Sequence, residues 1–107
     1  MKEDSVFIEH ILENIKDIEL FLKGVSKQDF LKNKEKQNAV VRSLEIIGEA
    51  AKNISEDLKK KHASIPWKEI IGTRDRIIHH YFGVDLDIIW DIAEINLPEL
   101  KNEICRI

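Results

Sequence analysis

Chain breakers and cross-linkers are scarce in this sequence. Glycine and proline together supply six of 107 residues, too few for frequent tight turns and well suited to long packed helices. Cysteine occurs once, at Cys105, which excludes an intrachain disulfide and agrees with a reducing cytosol. No uncharged run approaches the length of a membrane span. The opening MKEDSVFIEHILEN carries charges throughout and has no apolar h-region, so no signal peptide is expected and a cytoplasmic location is. Positive charge is not in surplus: the net charge of −3 argues against a general nucleic-acid coat protein, while leaving room for a local basic patch. No segment alternates apolar and polar residues over a useful length, so strands are not expected. Internal repeats and low-complexity segments are absent as well.

What is present is a helix-forming, heavily charged chain. Hydrophobic residues make up 43% and charged residues 35%, and isoleucine alone occurs 18 times. The length fits one domain, residues 1–107, with a modest core.

Apolar spacing predicts the helices. After Ser5, a candidate N-cap, Ile8, Ile11, Leu12, Ile15, Ile18 and Leu22 recur at three- and four-residue steps, and Gly24 is a natural stop. Ser26 followed by Asp29 resembles a capping box for a short turn through Phe30 and Leu31. A long second helix is expected over about residues 36–61, with Val40, Leu44, Ile47, Ala51, Ile54 and Leu58 inward. Gly48 sits on that stripe and suggests close approach of another helix. Arg42, Glu45, Glu49, Lys52 and Glu56 form a flanking stripe of alternating charge that reads most simply as surface ion pairs. Pro66 at a first helical position begins a new element, which Gly72 interrupts. Thr73 then caps a third helix ended by Gly83. Asp85 caps a fourth, with Ile88, Ile89, Ile92 and Ile95 inward and a kink or restart at Pro98. The expected fold is an all-α, up-and-down bundle of four main helices.

The residues able to bind phosphate or move protons crowd into IGTRDRIIHHYFGVD, residues 71–85. Arg74 and Tyr81 are seven apart and share a helical face. Asp75 and His79 are four apart, close enough for the carboxylate to orient the ring and favour imidazolium. Arg74 offers a planar fork of donors matched to phosphate. An arginine and a histidine suffice for metal-free RNA cleavage: the histidine moves a proton at the 2′-hydroxyl or the leaving oxygen, and the arginine stabilises the phosphorane. Arg74 and His79, however, stand about 140° apart on a regular helix. Either the helix is distorted or ends near His80, or Arg74 reaches around the flank, or a second copy of the chain completes the site. The competing reading is that two histidines and a tyrosine merely cap carbonyls or pack at an interface. A metal site is not expected. Adjacent His79 and His80 diverge and Cys105 is alone; Asp85-x-Asp87 could bind a metal, but an N-cap plus a first-turn carboxylate explains it more simply.

Arg74-x4-His79-x-Tyr81 resembles the R-x4-H-x-Y motif of the HepT-like toxins, a branch of the HEPN superfamily. The surrounding words strengthen the likeness: Ile65-Pro66-Trp67, Ile71-Gly72, Arg74-Asp75, His79-x-Tyr81-Phe82-Gly83-Val84-Asp85 and Trp90, with Arg42-x2-Glu45-x2-Gly48-Glu49-Ala50 upstream. The resemblance implies a homodimeric helical bundle acting as a metal-independent, cofactor-free endoribonuclease on RNA, the toxin of a type VII-like toxin–antitoxin pair. It implies Arg74 and His79 as the catalytic pair. Asp75 is a supporting residue, and Glu49, like Glu45, either supports the site by holding an arginine or histidine side chain from within the bundle or is a helix-surface ion. The implied partner is a nucleotidyltransferase antitoxin of the MntA kind, which silences the toxin by AMPylation of Tyr81. The alternative is a non-catalytic dimeric partner of such a nucleotidyltransferase. Arg74 and His79, both present, favour the nuclease.

Overall fold

The computed structural model describes residues 2–79 and 85–107, without the side chains of Lys2 and of residues 74–79. Every regular element among them is helical: α1 Lys2–Leu22, α2 Lys27–Lys32, α3 Lys34–Asn53, α4 Glu56–Lys61, α5 Trp67–His79, α6 Leu86–Asp91, a π turn Ile92–Asn96 and α7 Leu97–Cys105. Four long helical segments, α1, α3, α5 and the run from α6 to α7, form the expected all-α bundle. Helix α3 packs against both α1 and α5.

The predicted stripes are the core. Ile11, Ile15, Ile18 and Leu22 of α1 and Val40, Leu44, Ile47 and Ala51 of α3 are buried together, with Ile54 just beyond. Helix α1 begins at Lys2, so Ser5 lies inside it and is not its N-cap. The turn that follows matches expectation. Gly24 adopts φ 73°, a left-handed conformation that side chains disfavour. The Ser26 hydroxyl accepts the Asp29 N–H, and Phe30 is fully buried. Asn33 ends α2 and caps α3 by accepting the Lys36 N–H. Lys36 Nζ donates to the Phe21 carbonyl at 2.9 Å, tying the end of α1 to the start of α3.

At the opposite end of this antiparallel pair the expected long second helix is broken. It stops at Asn53, and Ser55 caps α4 instead. The Asp4 carboxylate accepts the Ser55 N–H at 2.8 Å and its hydroxyl at 2.7 Å. That pairing takes Ser55 N–H out of any continuing helix ladder, and the partner lies 51 residues away, beyond the reach of local pattern.

The last segment also departs from expectation. Ile89, Leu97, Leu100 and Ile104 are buried, but Ile88 is 45% exposed and Ile95 58%. Pro98 has no N–H, and its ring would strike the carbonyl four residues earlier in a regular helix. The chain widens ahead of it, with the Leu97 N–H donating to Ile92, five residues back. The added residue rotates the inward face away from Ile95.

Candidate functional site

Helix α5 carries the candidate residues, and its first turn is anchored by a tryptophan. Trp67 is buried, and its indole N–H donates to the His62 carbonyl at 3.1 Å. Pro66 stands just ahead of the helix, its carbonyl accepting the Ile70 N–H. The helix continues unbroken through Gly72 and Thr73, so neither is the boundary that their propensities suggest. The Thr73 hydroxyl donates to the Glu69 carbonyl, one turn back, a bond open to threonine inside a helix. A Cβ added at Gly72 would meet nothing within 4 Å, so no close packing requires glycine there.

The continuous backbone sets the register of the motif. Arg74 follows buried Trp67 by seven residues and partly buried Ile70 by four, so its position continues the stripe that α5 turns toward the core. Asp75 and His79 are one turn apart on another face. Because α5 is helical through His79, the offset of about 140° between Arg74 and His79 stands. The expected Asp75–His79 contact lies outside the described side chains, and His80, Tyr81 and Gly83 lie outside the described residues.

The acidic stripe on α3 is fully described. Glu45 and Glu49 line an open cleft of about 250 Å³ between α1 and α3, together with Phe7, His10, Arg42 and Asn53. Arg42 approaches Glu45 only at 4.0 Å, with 74% of its side chain exposed, a contact of little energetic value. Asn53 donates to the Glu49 carbonyl at 2.8 Å and more weakly to its carboxylate at 3.4 Å. Glu56, expected to extend this stripe, belongs to α4 and pairs with Lys59. His10 and Phe7 meet edge to face, ring centroids 6.3 Å apart. Sequence reading overlooked both as cleft residues, because they belong to a helix whose pattern speaks only of core. Gly48 is buried in α3.

Asp85 and Asp87 do the structural work expected of them. Asp85 Oδ1 accepts the N–H groups of Asp87 and Ile88, and Asp87 pairs with Lys27 at 3.0 Å. That hydrogen bond raises the Lys27 pKa against a smaller opposing effect of burial. Among the described residues no cluster of histidine, cysteine and acidic groups could hold a metal ion. Trp90 packs within the chain against Phe30, ring centroids 5.5 Å apart.

The model of the family described as "Ribonuclease HepT-like" matches residues 11–107. The chain belongs to the HepT-like ribonuclease family. Its relatives agree. It is 46% identical over 91% of its length to "Probable ribonuclease HepT" of Thermococcus cleftensis, covering 88% of that protein. It is 45% identical over its whole length to "Putative RNase TTE0752" of Caldanaerobacter subterraneus, covering 96% of that chain, and 48% identical over 99% of its length to "Putative RNase MJ0127" of Methanocaldococcus jannaschii, covering 88%. No solved structure matches the chain significantly. Membership makes this an enzyme of ribonuclease type, with RNA as the substrate class. Among the described residues no helix is long and apolar enough to cross a membrane.

Proposed function

We propose that the chain is a metal-independent endoribonuclease whose catalytic pair is Arg74 and His79, and that it acts as the toxin of a toxin–antitoxin pair. The observation that carries the reading is the uninterrupted α5, which carries the arginine and histidine of the R-x4-H-x-Y motif on one continuous helix. Arg74 binds the scissile phosphate and stabilises its developing charge, and His79 moves the proton. Asp75, one turn before His79, orients the ring. Glu49, on the helix against which α5 packs, supports the site from α3.

The angular offset between Arg74 and His79 favours a homodimer in which two copies of α5 together build the site. Tyr81 is the control point. A nucleotidyltransferase antitoxin adds AMP to its hydroxyl and places a phosphate and a base where substrate must bind.

The experiment is cleavage of single-stranded RNA by purified protein in EDTA, with the product ends identified. Cleavage persisting in EDTA and leaving 2′,3′-cyclic or 3′ phosphate is expected. EDTA-sensitive cleavage would overturn the metal-free mechanism. Light scattering at micromolar concentration should report a dimer, and a clean monomer would sink the shared site.

A further inference from the structure

We propose that the lysine-rich turn joining α1 to α3 is a second RNA contact, a surface that holds the sugar-phosphate backbone away from the scissile bond. The proposal rests on the ribonuclease reading and adds where the rest of the strand lies.

Residues 23–36 hold five lysines against two acids, Asp29 and Glu35, in a chain whose net charge is −3. Two of the five are committed to structure. Lys27 pairs with Asp87 at 3.0 Å, and Lys36 donates to the Phe21 carbonyl. Lys23, Lys32 and Lys34 are exposed, and among the described residues none has a carboxylate partner. Lys32 and Lys34 edge an open recess lined also by Val25, Asn33, Lys36 and the two acids Asp29 and Glu35. Five lysines against two acids leave a local surplus of positive charge, with Lys23, Lys32 and Lys34 outside any ion pair among the described residues, which is the footprint expected for a polyanion.

The backbone carrying them is fixed. Gly24 sets the turn, Ser26 and Asn33 cap its two helices, Phe30 is fully buried, and Gln37 donates to the Phe30 carbonyl at 2.9 Å. A phosphate contact made here costs only side-chain ordering, because the turn needs no rearrangement. The other lysine run, Lys59–Lys61, is shorter, and its first member is ion-paired, Lys59 to Glu56 at 3.6 Å.

Position links the surface to the candidate site. The Lys27–Asp87 pair and the Phe30–Trp90 contact seat the turn against α6. Asp85, the cap of α6, follows His79 by six residues, a stretch that spans at most roughly 20 Å. Asp85, Asp87 and Asp91 lie on the α6 side of Lys27 and repel phosphate, so the strand is directed over Lys23, Lys32 and Lys34 instead.

The test is fluorescence anisotropy with a labelled, uncleavable 2′-O-methyl oligoribonucleotide, titrated over a range of salt. The full-length Lys23→Glu/Lys32→Glu/Lys34→Glu protein should bind with a Kd raised roughly tenfold or more. Its log–log salt slope should fall by about 2, since each phosphate contact on a single strand contributes ~0.7. Lys60→Glu/Lys61→Glu/Lys68→Glu applies the same change in net charge elsewhere and should bind like wild type. Equal weakening by both triples would reduce the effect to overall charge and overturn the surface. Unchanged binding by the first triple would overturn it too, whatever else that substitution impairs. Wild-type protein that neither binds this probe nor cuts unmodified RNA would defeat the ribonuclease reading itself.

Discussion

The Asp4 carboxylate holds both the backbone N–H and the hydroxyl of Ser55, at 2.8 and 2.7 Å, and so pins the start of α1 to the joint between α3 and α4. Asp4 is itself buried, and its pKa is held below the ordinary aspartate value, first by the Ser55 hydroxyl and then by the Ser55 N–H. Its stabilising contribution is therefore complete above the unfolded value, about 3.9, and is lost as pH falls through the lower folded value. Asp4→Asn should lower the thermal midpoint at pH 7 and flatten the acid limb of the stability profile. Combined with Ser55→Ala, the loss should be clearly less than additive. Strict additivity would show that the two residues do not act as a unit.

Two glycines should respond in opposite directions. Gly72 lies within α5 with open space where a Cβ would stand, so Gly72→Ala should stabilise the fold by roughly 0.5–1 kcal/mol. Gly24 has φ 73°, and Gly24→Ala should destabilise by about 1 kcal/mol. Chemical denaturation of the two variants decides the matter. A destabilised Gly72→Ala would mean that α5 bends or packs closely at that point.

Control should depend on one phenol, the only tyrosine in the sequence. Incubation with a cognate nucleotidyltransferase, ATP and Mg²⁺ should add AMP to Tyr81, located by peptide mass spectrometry. Tyr81→Phe should resist inactivation. If the hydroxyl also helps bind RNA, that variant should lose activity before any antitoxin is added. Efficient modification of Tyr81→Phe at a serine or threonine would remove Tyr81 from the switch.

Much of the fold was legible because its causes are local. The stripes of α1 and α3 follow from three- and four-residue spacing, and the Ser26 and Asp85 caps act on groups two or three residues away. The departures have distant or competing causes. The break before Ser55 depends on Asp4, and the exposure of Ile95 accompanies the wide turn before Pro98. Gly72 and Thr73 look like a boundary by propensity, yet α5 runs through both, with the Thr73 hydroxyl bonded to the Glu69 carbonyl inside the helix. For the candidate site, the motif itself was legible as residues. The cleft that gathers Phe7 and His10 beside Glu45 and Glu49 was not, since only the pairing of α1 with α3 creates it.

The proposed cleavage of RNA rests on Arg74 and His79. Its most direct test is the single-turnover cleavage rate of one RNA substrate by wild type, Arg74→Ala and His79→Ala, with helicity checked by circular dichroism. Both variants should keep an unchanged fold, with the rate reduced roughly 10²–10⁴-fold when His79 is lost and a comparably severe loss at Arg74. Cleavage by His79→Ala at the wild-type rate would contradict this assignment.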